Sequence, residues 1–231
     1  MIPVEVFIAV VVVLLLANYV TYKFGVKYAI NNFMEQIFIA GLMGKVDAFR
    51  QYNKYCKPGQ NVMVGDSITQ DFNTSEYFPE HIVYNRGIGG DTSSGVLSRL
   101  DVSVYDLKPK KVFLNIGTND FERLDDRIEG TFQRIQEICN KIKEFDSKIE
   151  LYVISVYPVN PNVDKRTVGK RNNQEITELN SKLSKINGIY YLDLFSKLVK
   201  DGVLNPDYTI EGLHFNQNGY EILRTEVLKH L

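Results

Sequence analysis

The stretch NVMVGDSITQDF, residues 61–72, is where the fold can be read. Val62, Met63 and Val64 form a short apolar run that stops at Gly65, the pattern of a buried strand ending in a glycine turn. Asp66, Ser67 and Thr69 then offer side-chain oxygens to the free N–H groups of a starting helix, so the pattern predicts a strand that hands Ser67 to a helix N-terminus. The helix dipole there favours developing negative charge, which suits a nucleophile. A capped strand-to-helix turn needs no chemistry to exist, however, and the neighbouring motifs have to decide.

Toward the C-terminus, an apolar strand at residues 82–84 runs into NRGIGGDTSSG, residues 85–95, with a helix expected near Thr92. The glycines match neither G-x-G-x-x-G nor the Lys-containing phosphate loop, and no acidic ribose partner is placed for them, which argues against nucleotide binding. Gly89 and Gly90 would instead let the backbone approach a ligand and turn an N–H toward it. A third strand, KKVFLNIGTND at residues 110–120, ends at Gly117 in polar residues that include Asn119. Asp126 can open a helix with Ile128, Phe132, Ile135, Cys139, Ile142 and Phe145 on one face. KIELYVISV, residues 148–156, supplies a fourth strand. A polar segment then precedes a helix with Ile176, Leu179, Leu183 and Ile186 on one side, and residues 189–194 give a fifth strand. Strands alternating with helices predict an α/β fold with a five-stranded parallel sheet between helices, and ligands in such sheets sit at the carboxyl ends of the strands. Ser67, Gly90 and Asn119 all fall there.

The last informative stretch, TIEGLHFNQNGYEIL at residues 209–223, places Glu211 three residues before His214 and offers Asn216 as the cap of a closing helix. Of the three histidines, His81 precedes a strand and His230 sits in the last turn, which leaves His214 as the candidate base.

Composition narrows the classes. A chain of 231 residues with 44% hydrophobic content can bury a full core, and no long polar linker divides it, so one globular domain plus an extension is expected. A formal charge of −1 with no Lys/Arg run argues against a nucleic-acid partner. Two cysteines cannot make a disulfide framework, Cys139 reads as a buried thiol, and neither has a histidine motif beside it. No HExxH or Cys/His cluster suggests a metal, and the reading calls for no cofactor.

The N-terminal part differs in kind. Residues 4–20, VEVFIAVVVVLLLANYV, are almost wholly apolar, and with Tyr22 they approach the roughly 20 residues that span a bilayer. Tyr19 and Tyr22 at one end resemble an interfacial belt, so the prediction is a transmembrane helix through residues 4–22 instead of a buried core helix. A cleaved signal peptide would want positive charge before the run and small residues at its end, where this chain has Glu5 and then Asn18, Tyr19 and Val20. The anchor is therefore expected to be retained, and Lys23 and Lys27 just beyond it place the domain on the cytoplasmic side by the positive-inside rule. Ile30, Phe33, Met34, Ile37, Phe38, Leu42, Val46 and Phe49 then recur at helical spacing. They predict an amphipathic helix, packed on the domain or resting in the lipid interface. The resulting partition is an anchor at 1–27, a helical connector at 28–59 and a catalytic domain at 60–231.

Taken in order, Gly65-Asp66-Ser67, residues 85–92 with Gly90, Gly117-Thr118-Asn119-Asp120, and Glu211 to His214 resemble the SGNH hydrolases, also called the GDSL esterase and lipase family, over residues 60–231. Arg171 and Asn180 are similar to features of the branch that resembles platelet-activating-factor acetylhydrolases. The resemblance implies a three-layer, flavodoxin-like fold. It implies that Ser67 attacks an ester carbonyl, His214 takes and returns the proton, and Glu211 holds the imidazole in the productive tautomer. It also implies an oxyanion hole made by the N–H groups of Ser67 and Gly90 and the Asn119 amide, with Asp66 and Asp120 bracing loops. The chain departs from the family at 211, where Asp is expected and Glu stands; Asp207 is a possible substitute. No G-x-S-x-G surrounds Ser67, so the α/β-hydrolase elbow is disfavoured. The implied activity is removal of acetyl or another short acyl group from a carbohydrate or lipid. An acyltransferase on the same triad and a non-catalytic binding module remain open, and the oligomeric state is not set.

Overall fold

The computed structural model describes residues 3–231. The chain divides into two compact units, Met1–Gly44 and Lys45–Leu231. A single α-helix, Val4–Asn53, runs through the first and ends in the second. The expected change of character near residue 28 produces no break, because no proline lies between Pro3 and Pro58 and isolated glycines such as Gly25 cost only about 1 kcal/mol each. Its 18-residue apolar window has a mean hydropathy of 2.4 and is unburied, and it is the one helix among the described residues long and apolar enough to cross a membrane. Along the stripe expected on this helix, Ile30, Phe33, Met34 and Ile37 are exposed, Phe38, Leu42 and Val46 are half-buried and Phe49 is buried.

In the second unit five parallel strands form a sheet in the order β2-β1-β3-β4-β5. They are β1 Asn61–Gly65, β2 Val83–Gly87, β3 Lys111–Asn115, β4 Glu150–Ile154 and β5 Tyr190–Leu192. Because side chains alternate across a strand, Val62, Val64, Val112, Leu114, Leu151 and Val153 face one layer of helices, while Met63, Phe113, Tyr152 and Ile154 face the other. The first layer includes Ile135, Ile138 and Ile142 of the Arg127–Phe145 helix and Ile176, Leu179 and Leu183 of the Asn173–Leu183 helix. The second includes Ile68 and the face Tyr220, Leu223 and Val227 of the closing Gln217–Leu228 helix. This is the three-layer α/β arrangement read from the alternation of elements. Cys139 lies in the first layer, where burial pushes its thiol up to about 12 and removes it as a nucleophile.

One boundary needs correction. Asn85, Arg86 and Gly87 belong to β2 and not to the loop after it. The strand tolerates these polar residues because it is the sheet edge and each is met by a distant partner. Asn85 Nδ2 donates to Thr69 O and Phe72 O, and the Arg86 guanidinium lies over the rings of Phe49 and Tyr84, 4.9 and 5.6 Å from their centroids.

The register sets up the site. Gly65, the last residue of β1, is aligned with Gly87 on one side and Asn115 on the other. The loops carrying Ser67, Gly90 and Asn119 therefore leave the sheet side by side, with Ser67 in the middle.

Candidate active site

Ser67 opens the short Ser67–Asp71 helix, whose N-cap is Asp66; the Asp66 carboxylate accepts from Ile68 N–H at 3.0 Å. A cap of this kind stabilises a helix start by about 1 kcal/mol. Tyr220 Oη donates to Ile68 O from the closing helix and pins the turn from the other side. Asp66 is buried, and that burial, opposed by the Ile68 N–H, raises its carboxyl to about 7. With its oxygen turned to the backbone, it braces the turn that presents Ser67.

The two flanking loops are fixed by buried charges. Arg99 Nε donates to Asp91 Oδ2 at 2.8 Å, and the same guanidinium donates to Gly65 O and Arg86 O, tying the ends of β1 and β2 to the 88–92 loop. Both side chains are almost fully buried, so losing one partner would strand a charge at a cost of about 3–5 kcal/mol. Within this loop Gly90 has φ +73°, a conformation that side chains other than glycine resist. The Gly89 N–H donates to Gln70 Oε1 at 3.1 Å, so of this glycine pair only Gly90 is in question as a ligand-facing donor. Asp120 accepts from Ser93 N and Arg134 Nη2, and its carboxylate also bonds the Ser93 hydroxyl. Burial pushes the carboxyls of Asp91 and Asp120 upward against these partners.

Asn119 Nδ2 donates one hydrogen to Asp91 O at 2.9 Å, beside Gly90, and its Oδ1 accepts from Arg171 Nη2 at 2.7 Å. An amide nitrogen carries two hydrogens, so one remains for a ligand. Asn180 clamps the loop after β4 through two bonds to Val156.

On the opposite side, Ser67 Oγ lies 2.9 Å from His214 Nε2, and His214 Nδ1 lies 2.6 Å from Glu211 Oε1. The same carboxylate oxygen accepts the His214 backbone N–H at 2.8 Å. An ionised carboxylate only accepts, so the Nδ1 proton points to Glu211 and Nε2 keeps its lone pair for the Ser67 hydroxyl. Gly212 between them has φ +89°, and a Cβ there would strike Asn160 O, so the loop must pass this point as glycine. Asp207 lies in the 3₁₀ turn Pro206–Tyr208, and its carboxylate makes no bond to His214. The structure thus brings together Ser67, His214 and Glu211, sets Gly90 and Asn119 on the flanking loops, and leaves Asp207 aside. Arg99 and Asp91 were invisible as site residues in the sequence, because the ion pair that joins them forms only in the folded chain.

Comparison with known proteins fits this geometry. Residues 63–222 match the model of the GDSL-like Lipase/Acylhydrolase family. The chain belongs to that family and is a carboxylic ester hydrolase of the esterase and lipase type. It is 36% identical over 118 residues to N-acylneuraminate cytidylyltransferase of Escherichia coli O18:K1:H7, a match covering 50% of this chain but only 27% of that protein. It is 28% identical to platelet-activating factor acetylhydrolase IB subunit alpha2 of Rattus norvegicus, covering 74% of this chain and 77% of the relative. Among solved structures, a GDSL-like lipase from Bacteroides thetaiotaomicron superimposes with a TM-score of 0.71 at 27% identity, covering 80% of this chain and 96% of that one.

Proposed function

We propose that the protein is a serine esterase that releases acetyl or another short acyl group from a carbohydrate or a lipid. The observation that carries this reading is the continuous hydrogen-bonded series Ser67 Oγ, His214 Nε2, His214 Nδ1 and Glu211 Oε1 at the carboxyl end of β1. In the proposed reaction Nε2 removes the Ser67 proton as Oγ attacks the ester carbonyl, and Glu211 stabilises the imidazolium that forms. The oxyanion is held by Ser67 N–H, Gly90 N–H and the remaining Asn119 amide hydrogen. The imidazolium then protonates the departing alcohol, leaving an acyl-Ser67 ester. A water activated by the same imidazole hydrolyses it and returns the enzyme. The acetyl preference is supported by the likeness to platelet-activating factor acetylhydrolase IB subunit alpha2, and the carbohydrate alternative by the partial match to N-acylneuraminate cytidylyltransferase.

The hydrolase is carried by residues 60–231, and residues 4–22 anchor it in a membrane with the domain on the cytoplasmic face. A series of p-nitrophenyl esters, with acetylated sugars and acetylated lysolipids beside them, tests the substrate class. kcat/KM is expected to be highest for acetyl and to fall as the acyl chain lengthens. A preference for long chains, or transfer of the acyl group to a sugar without free acetate, would overturn the reading.

A further inference from the structure

We infer that Arg171 is a positioning residue that fixes the orientation of the oxyanion amide of Asn119; this inference rests on the serine-esterase reading above. The Arg171 side chain is only 6% exposed. Its hydrogens are spent inside the protein. Nε donates to Thr118 O at 3.0 Å, Nη1 to Val168 O at 2.9 Å, and Nη2 to Asn119 Oδ1 at 2.7 Å. One guanidinium therefore holds the backbone before Asn119 and the amide of Asn119 itself.

The consequence is chemical. A primary amide can turn over and exchange its oxygen and nitrogen at little cost when nothing distinguishes the two ends. Here the ends are distinguished absolutely. Arginine has no acceptor, so it can face only Oδ1; the Asp91 carbonyl has no donor, so it can face only Nδ2. With both ends assigned, the second Nδ2 hydrogen has one direction left, away from Asp91 O and fixed before substrate arrives. A flipped amide would present a carbonyl oxygen to a developing oxyanion, turning an attraction into a repulsion. The bond from a charged donor also draws electron density from the amide, which strengthens the remaining N–H as a donor. Glu122, 3.9 Å from Nη1, provides a counter-charge without displacing these bonds, since it also accepts from Lys170 N. Burial lowers the Arg171 pKa, and Glu122 and Asp66 oppose that fall, so the positive charge behind Asn119 persists at any working pH.

A double-mutant cycle on the full chain tests this, with Arg171→Met, Asn119→Ala and both together. Arg171→Met is expected to lower kcat by about 10²-fold with KM within about threefold, the size of a lost oxyanion donor. In the Asn119→Ala background the same change should cost less than about threefold, because the amide it orients is gone. Arg171→Lys should recover part of kcat, since a single ammonium can still reach Asn119 Oδ1. Should Arg171→Met fail to fold, Arg171→Leu takes its place in the cycle, with Arg171→Lys kept as the rescue. Full losses that multiply in the double variant, or a rise in KM alone, would overturn the inference. Activity surviving Ser67→Ala would instead remove the serine-esterase reading beneath it.

Discussion

Glu211→Gln is the perturbation whose outcome the geometry fixes most tightly. Oε1 lies 2.6 Å from His214 Nδ1 and also accepts the His214 backbone N–H, so one charged oxygen sets the ring tautomer and holds the loop. Two unit charges about 4 Å apart at an effective dielectric of about 20 attract by about 4 kcal/mol, or about 10³ in rate at 1.36 kcal/mol per tenfold. The two side chains are 31% and 24% exposed, so solvent screening reduces that figure toward about 10². Presentation of the amide NH₂ to Nδ1 would add to the loss by enforcing the wrong tautomer, giving about 10²–10⁴ in all. Glu211→Asp shortens the reach by one methylene on a backbone that now places Oε1 2.6 Å from the ring, and about 10-fold to 10²-fold is expected from that misplacement. Asp207→Asn should be neutral, because that carboxylate does not meet the ring. The assay is steady-state hydrolysis of p-nitrophenyl acetate by the three purified variants. Loss within threefold for Glu211→Gln would leave a Ser67–His214 dyad, and a crippled Asp207→Asn would move the acid to 207.

Three further outcomes follow from the same structure. Asn119→Ala should lower kcat by about 10²–10³ with little change in KM, measured by steady-state kinetics, and should also lower the melting temperature, since Arg171 Nη2 and Asp91 O lose their buried partner; a pure rise in KM would contradict it. Asp66→Asn should flatten the pH dependence of stability between about pH 4 and pH 7, read from urea unfolding. Its carboxyl is raised to about 7 when folded, so the folded state holds a proton the unfolded chain has lost; its contribution is full below about pH 4 and fades as pH rises through 7, by at most about 1.4 kcal/mol per unit. An unchanged slope would show that Asp66 does not titrate there. The full chain should sediment with membranes and resist carbonate extraction, whereas a chain beginning at Lys45 should be soluble and active, and protease protection in sealed vesicles reports the side.

What the sequence revealed and what it hid have different physical origins. The strands β1, β3 and β4 are buried on both faces and read as continuous apolar runs that stop at turns, so local pattern sufficed. Ser67 and the Glu211–His214 pair sit in short motifs that local pattern brings forward as candidates, and the fold sets their side chains within hydrogen-bonding reach of one another. The polar end of β2 was not, because Arg86 is stabilised by Phe49, 37 positions earlier and in another element. Arg99 and Asp91 close a buried ion pair beside the ends of β1 and β2, an enclosure that no window of sequence displays. The long helix was legible as apolar, but its unbroken course past residue 28 reflects missing stop signals more than any positive one.

The central claim is that Ser67 is the nucleophile and His214 its base. Fluorophosphonate labelling of the full-length protein, followed by peptide mass analysis, measures this directly. One covalent adduct is expected, on the peptide containing Ser67, absent in a folded Ser67→Ala variant and formed about 10²-fold or more slowly in His214→Ala. An adduct on another residue, or labelling at the wild-type rate in either variant, would contradict the account.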